Sequence, residues 1–134
     1  MEETTVWKDI LLGLQHIGIP TKCYRETLDF YKLLGFSALY EGKIPGSDFR
    51  VVFLEMGNML LEIYEQSNSA QKAGAVDHIS LNVRDINIAF GLAQKYGMTL
   101  VEAGIQQLPY WDNGIRYFTV WGPNSEKVEF CQRL

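Results

Sequence analysis

Two short stretches decide the fold of this 134-residue chain: residues 14–19, Leu-Gln-His-Ile-Gly-Ile, and residues 76–81, Val-Asp-His-Ile-Ser-Leu. In each stretch, apolar and other side chains alternate around a histidine, which is typical of a half-buried β-strand. The two histidines, His16 and His78, are the only ones in the chain. The similarity indicates an internal repeat in which one such strand opens each half.

A helix is predicted after each of these strands. Residues 24–34 carry apolar side chains at helical spacing and end at Gly35, and residues 86–96 do the same between Asp85, a typical N-cap, and Gly97. The helices therefore occupy matching places in the two halves.

Three further strands are predicted in each half. In sequence order they cover roughly residues 36–41, 49–55, 59–65, 98–103, 115–121 and 127–132. The pattern is βαβββ twice, with module one at about 14–65, a polar linker at about 66–75 and module two at about 76–133. We expect an α+β fold, with residues 1–134 forming a single domain.

Composition excludes several classes of partner. The net charge is −4, the pI is about 5.1, and the Lys and Arg residues are scattered, so nucleic acid is not an expected partner. No apolar run approaches the roughly 20 residues of a membrane helix, and the acidic start is unlike a signal peptide, so we expect a cytoplasmic protein without membrane contact.

Cys23 and Cys131 form no C-x-x-C pattern and are predicted to be buried free thiols. A short amphipathic helix over a sheet or a partner subunit is predicted from Val6, Trp7, Ile10 and Leu11.

Strand alternation places four polar side chains away from the helices. In the opening strands, His16 and His78 point opposite to the isoleucines that follow them. In the last strand of each module, Glu62 and Glu129 stand between two apolar residues that take the helix-packed face. If the sheets curl toward each other, these four side chains line one concavity, and the fold is a barrel-like mixed sheet.

A metal site is the reading that best explains the four side chains together. Taken singly, each histidine fits a structural hydrogen bond and each glutamate fits a solvated strand end. However, His and Glu recur at equivalent places in both modules, and a buried carboxylate is costly unless it is paired or bound to a metal. We therefore predict one divalent ion per site, Zn, Ni, Co, Mn or Fe, held by His16, Glu62, His78 and Glu129.

The same segments resemble the vicinal oxygen chelate superfamily, which includes glyoxalase I, extradiol dioxygenases and bleomycin-binding proteins. The resemblance covers about residues 14–133 and rests on residues 14–18, 60–63 and 76–79 and on the ending Gly-Pro-Asn-Ser-Glu-Lys-Val-Glu-Phe at 122–130, which is similar to the family's GPxGxxxEF. Four ligands that include Glu62 resemble the set of glyoxalase I. That resemblance implies a lyase or isomerase that removes a proton next to a carbonyl and stabilises an enediolate on the metal.

The resemblance also assigns roles. Glu129 would be the principal base with Glu62 as its counterpart, and the substrate would be a small molecule with vicinal oxygens. Pro20 and Gln66 stand where glutathione-using members carry Arg and Asn, so a glutathione adduct is not expected. An acyl-thioester epimerase, an extradiol-type dioxygenase and a non-enzymatic binding protein remain as alternatives.

Three residues are predicted to contact substrate. Tyr64 and Asn82 share the strand face of the ligands, and Trp111 lies in the turn-prone loop 109–114. This loop fits either a substrate wall or an ordinary hairpin loop anchored by packed aromatics. We also expect a homodimer, because family members pair their modules either within one chain or across two.

Overall fold

The computed structural model describes residues 6–10, 12, 14–72, 74 and 76–134. Its elements, in chain order, are α1 (Trp7–Ile10), β1 (Ile17–Thr21), α2 (Tyr24–Leu33), β2 (Ser37–Lys43), β3 (Arg50–Met56), β4 (Met59–Glu65), β5 (His78–Asn82), α3 (Ile86–Lys95), β6 (Thr99–Leu100), β7 (Gln106–Leu108), β8 (Ile115–Trp121) and β9 (Lys127–Arg133).

The two halves form two sheets with the same path. The first has the strand order β1-β4-β3-β2 and the second β5-β9-β8-β6, with β7 paired to β8. In each sheet the opening strand is parallel to the last strand of its module, and the other pairs are antiparallel. This confirms the α+β class and the mixed, curled sheets. Over the described residues no strand pair joins the two sheets, so they do not close into a hydrogen-bonded barrel.

Each helix lies where its sequence pattern predicts. The buried residues of α2 are Tyr24, Thr27, Leu28 and Tyr31, at the spacing of one helix face. In α3 the Asp85 carboxylate accepts hydrogen bonds from the backbone N–H groups of Asn87 and Ile88, which satisfies two donors of the first turn. Gly35 and Gly97 follow the two helices with φ of 109° and 66°.

The strand predicted at 98–103 is wrong in its extent. Only Thr99–Leu100 pairs as β6, and a separate short strand, β7, begins at Gln106. The reason is at Glu102, whose Oε2 accepts the hydrogen bond from Thr119 N at 2.8 Å. The Glu102 side chain thus accepts the hydrogen bond that the Thr119 N–H would otherwise donate to the backbone of a longer β6. The pairing of β6 with β8 therefore ends at Leu100.

The last strands of the modules confirm the predicted alternation. Leu61 and Ile63 of β4 are fully buried. Val128 and Phe130 of β9 are also buried, with 1% and 8% of their surface exposed. They join one apolar cluster that draws on both modules. Glu62 and Glu129 stand between these pairs and therefore point to the opposite sheet faces.

A buried polar cluster connects the two modules. Asn124, in the turn before β9, accepts a hydrogen bond from Thr21 Oγ1 at 2.6 Å, and its amide nitrogen donates to Thr27 Oγ1 at 2.9 Å. Tyr31 donates to Glu126 Oε2 at 3.0 Å. We call these five residues the intermodule cluster.

Of the two predicted roles of the N-terminal helix, covering a sheet of its own chain is wrong and covering a partner subunit stays a prediction; the cysteines are less buried than predicted. Trp7 and Ile10 of α1 are exposed and Val6 before it is exposed too, so this helix covers neither sheet within the chain, and Leu11 lies outside the described residues. Cys23 and Cys131 are free but only partly buried, because Cys23 precedes the first turn of α2 and Cys131 lies on the face of β9 opposite to the buried Phe130. Among the described helices, α2 and α3 are the longest at ten residues, and none is long and apolar enough to cross a membrane.

Candidate metal centre

In module two, His78 and Glu129 form a pair on the face of the sheet away from α3. The parallel register of β5 and β9 sets Ser80 beside Glu129 and His78 beside Lys127. His78 Nε2 lies 3.8 Å from Glu129 Oε1, while Ser80 Oγ donates a hydrogen bond to Glu129 Oε2 at 2.5 Å. Residues of β5 thus contact both oxygens of the Glu129 carboxylate.

Module one carries the matching pair, His16 and Glu62. His16 lies just before β1, and the register of β1 and β4 sets Gly18 beside Glu62. His16 Nε2 is 3.4 Å from Glu62 Oε1, and the imidazole makes a T-shaped contact with the ring of Phe53, with the ring centroids 5.6 Å apart.

The other nitrogen of each imidazole is occupied by the preceding residue. Asp77 Oδ2 lies 3.0 Å from His78 Nδ1, and Gln15 Oε1 contacts His16 Nδ1. Since a carboxylate only accepts, Nδ1 of His78 carries the proton and Nε2 of the neutral ring keeps its lone pair. The hydrogen bond from His78, and after it the one from Lys127, lower the pKa of Asp77. A carboxylate behind an imidazole is the arrangement that orients metal-binding histidines.

The structure brings the four predicted ligands into two pairs. Both histidines line one cavity of about 700 Å³ between the modules, and neither Glu62 nor Glu129 is among its lining residues. Within the described part of the chain, no three His, Cys, Asp or Glu side chains lie close enough to hold one ion. Each module therefore presents one imidazole nitrogen beside one carboxylate, in a pair of its own.

The donor chemistry of these pairs fits a divalent metal. Each pair offers an imidazole nitrogen and carboxylate oxygens without a thiolate, the ligand types that suit Zn, Ni, Co, Mn and Fe. Two such pairs brought to one ion would supply four protein ligands, and the ion would supply Lewis-acid chemistry to substrate oxygens.

The two halves differ at one equivalent position. Ser80 stands where module one has Gly18, so Glu129 has a hydroxyl partner while Glu62 has none from that strand. The Glu62 side chain is 29% exposed and the Glu129 side chain 16%. Glu62 is therefore the less restrained of the two carboxylates.

Of the three predicted substrate residues, only Tyr64 lies directly beside one of these pairs. A methyl group placed at Gly18 would meet the Tyr64 ring at 3.5 Å and the Glu62 carboxylate at 3.7 Å, so Tyr64 is beside the first pair. Asn82 ends β5 on the face of His78 and is exposed. Trp111 is 67% exposed and lies against Arg133, with the guanidinium carbon 4.2 Å from the ring centroid. An anchoring role for Trp111 by deep packing is therefore excluded.

Other side chains on these faces were not singled out from the sequence. Strand alternation places Cys131 and Tyr117 on the face of Glu129, and they pair with each other across β8 and β9. Burial raises the pKa of both. The negative charge of Glu129 contributes next at Cys131, whereas at Tyr117 the Glu102 carboxylate contributes next and Glu129 after it. Both groups therefore keep their protons near neutral pH. Alternation from Glu129 is the signal that would have found Cys131.

Comparison with known proteins agrees with this architecture. Residues 15–118 match the glyoxalase/bleomycin resistance protein/dioxygenase superfamily. The uncharacterized protein YwbC of Bacillus subtilis (strain 168) is 29% identical over 127 residues, covering 90% of this chain and 97% of that protein.

Solved structures show the same fold at low identity. The glyoxalase family protein from Enterococcus faecalis aligns with a TM-score of 0.74 at 21% identity, covering 90% of this chain and 97% of that one. The fosfomycin resistance protein FosX from Listeria monocytogenes aligns with a TM-score of 0.72 at 15% identity, covering 93% and 95%. The family match, the repeated modules and the paired donors lead to one conclusion: the chain belongs to the glyoxalase/bleomycin resistance protein/dioxygenase superfamily.

Proposed function

We propose that the protein is a metal-dependent lyase or isomerase of the glyoxalase I type, which moves a proton between the two carbons of a small substrate with vicinal oxygens. The observation that carries the proposal is the pair of His–Glu sets, in which each Nε2 faces a glutamate and each Nδ1 is held by the preceding side chain. A binding protein without chemistry has no need for this doubled arrangement.

The carboxylates supply the proton chemistry. A bound divalent ion would act as a Lewis acid on the two substrate oxygens. Glu129 and Glu62 lie on opposite halves of the proposed site, so one carboxylate removes the proton and the other is placed to return it. Ser80 holds one oxygen of Glu129 and leaves the other toward His78.

We propose that the complete site forms in a homodimer, where module one of one chain faces module two of its partner. Among the described residues, one chain holds two separate His–Glu pairs rather than one group of four donors. Apolar side chains also stand exposed beside the histidines: Leu14 is 79% and Val76 80% exposed, and both line the same cavity as His16 and His78. A partner subunit would cover them.

Metal analysis with matched variants tests the proposal. We expect about one divalent ion per site in the purified protein, lost in His78→Ala and weakened in Glu129→Gln. Asn113→Ala, in an exposed turn, is the control. Turnover of methylglyoxal with several thiols is then measured with Ni, Zn, Co and Mn. FosX has been crystallised with Mn(II), which supports including Mn in this series.

The outcomes separate the remaining alternatives. Metal without isomerase turnover but with exchange of the α-proton of an acyl thioester would assign an epimerase. Oxygen uptake with catechols would assign a dioxygenase. Protein that takes up no divalent metal would contradict the proposal and leave a small-molecule binding protein.

A further inference from the structure

Arg133 occupies an unusual position at the end of β9. It is four residues beyond Glu129 on the same strand, so alternation places both side chains on the same face, with their Cα atoms about 13 Å apart. Its guanidinium lies 4.2 Å above the centre of the Trp111 ring. Among the described residues, no carboxylate forms an ion pair with Arg133 and no group accepts a hydrogen bond from its side chain.

The loop that carries Trp111 has a strained backbone and is fixed by a hydrogen bond. Trp111 has a φ of 64°, a conformation that bulky aromatic residues rarely adopt. Gly114 closes the loop with a φ of 87°, and a Cβ there would lie 2.9 Å from the carbonyl oxygen of Leu108. The Leu134 N–H then donates to the Gly114 carbonyl at 3.0 Å. The loop is therefore fastened to the end of β9, beside Arg133.

The cation–π contact holds the guanidinium without using its donors. A guanidinium placed over an aromatic ring interacts through its charge, so its N–H groups remain available, and two of them match the two oxygens of a carboxylate. The ring also restricts the arginine side chain before any ligand arrives, which lowers the entropy cost of binding. A single guanidinium offers one bidentate pair, which suits a carboxylate better than a phosphate that collects several donors.

We propose that Arg133 and Trp111 form a subsite that binds a carboxylate of the substrate, so that the substrate is an acid whose charged end lies one strand length from its vicinal oxygens. This inference rests on the proposed function for the link to catalysis, but the carboxylate site stands on its own geometry. It adds a specificity residue on the face of Glu129, distinct from the His–Glu pairs.

The first arm of the test uses metal-free protein and hexanoate as the probe. The indole N–H signal of Trp111 in a ¹H–¹⁵N spectrum, assigned with Trp111→Phe, should shift and saturate in the wild-type protein. Arg133→Met should abolish the shift. Arg116→Met, which removes a guanidinium from the neighbouring strand β8 on its other face, should leave it unchanged. A Trp111 signal that does not respond to hexanoate, or that responds equally in Arg133→Met, overturns the subsite whatever the metal does.

The second arm links the subsite to the metal. Suberic acid monohydroxamate and octanohydroxamate share a metal-chelating end with vicinal oxygens and differ in a terminal carboxylate. With Mn-loaded protein, we expect at least tenfold tighter binding of the acid, reduced to equality in Arg133→Met. Equal affinities of the two hydroxamates for the wild-type protein would show that the subsite does not bind the same molecule as the metal, and this would overturn the substrate assignment. Failure of both hydroxamates to bind, with the hexanoate response intact, would instead reject the proposed metal function and keep the carboxylate site.

Discussion

The hydroxyl of Ser80 donates a hydrogen bond of 2.5 Å to Glu129, and the equivalent residue of module one, Gly18, has no side chain to offer Glu62. We expect this bond to orient Glu129 for metal binding. Ser80→Ala should lower the affinity for Mn or Zn about tenfold, because partners behind a ligand commonly contribute that much. A competing chelator measures the affinity. Asn82→Ala, on the same strand face, is the control, and an unchanged affinity in Ser80→Ala would contradict the expectation.

Mixing two inactive variants tests whether sites are shared between chains. His16→Ala and Glu129→Gln each remove a ligand, one in module one and one in module two. If module one of one chain faces module two of the other, a mixed dimer regains one intact site, so co-refolding equal amounts should restore about one quarter of the activity.

The control for this experiment uses two variants of the same module. His78→Ala mixed with Glu129→Gln leaves no intact site in any dimer and should restore nothing. If the first mixture also restores nothing while dimers form, each site lies within one chain.

The intermodule cluster should contribute measurably to stability. Asn124→Ala removes hydrogen bonds to Thr21 and Thr27 and leaves buried hydroxyls with fewer partners. We expect the free energy of unfolding to fall by about 2–3 kcal/mol. Urea denaturation measures it, and Asn113→Ala serves as the control because Asn113 is exposed. A loss as small as that of the control would show that the cluster does not hold the modules together.

Tyr31 should make the protein sensitive to alkali. Burial, and after it the Glu126 carboxylate, hold the pKa of this phenol well above its usual value near 10. Above pH 10 the unfolded chain loses this proton while the folded protein keeps it, so the free energy of unfolding falls as the pH rises; below pH 10 the contribution is complete. Tyr31→Phe should show a shallower fall between pH 10 and 11 in urea titrations than the wild-type protein. Tyr110→Phe removes an exposed phenol and should not change the slope, and equal slopes in all three proteins would refute the prediction.

Gly114 should tolerate no side chain. Gly114→Ala places a Cβ 2.9 Å from the Leu108 carbonyl oxygen at a φ of 87°, so we expect a loss of about 1–3 kcal/mol. Gly91→Ala is the matched control, because Gly91 lies in α3 with nothing within 4 Å of an added Cβ and should gain about 0.5–1 kcal/mol. Thermal unfolding compares the two, and a neutral Gly114→Ala would mean that the loop adjusts freely.

Local patterns in the sequence predict most of the fold. Alternation around Glu62 and Glu129 depends only on neighbouring residues, and so do the Asp85 cap and the glycines that end the helices, so these features are visible in the sequence. The end of β6 is different, because it depends on Glu102 reaching a donor on Thr119, seventeen positions away. No local pattern contains that contact.

In the candidate site too, some features follow from local sequence and others depend on distant contacts. The donors and their faces follow from strand parity, and the His–Glu pairing within each module follows from the parallel register of its first and last strands. The contact of Trp111 with Arg133 requires a left-handed backbone at a tryptophan, which sequence preferences argue against. Which chain would complete the proposed site depends on an interface that no sequence pattern within one chain describes.

The bond between Thr21 and Asn124 joins residues 103 positions apart, and this separation bears on how the protein is made. During synthesis, module one leaves the ribosome well before Asn124 does, so the hydroxyls of Thr21 and Thr27 lack their hydrogen bonds to Asn124 until module two has followed. Contacts of such long range close slowly, since the loop entropy must be lost before the bond is gained. Docking of the modules is therefore a late step that requires most of module two, and a chain that stalls before Asn124 would expose an incomplete polar and apolar surface to chaperones and proteases.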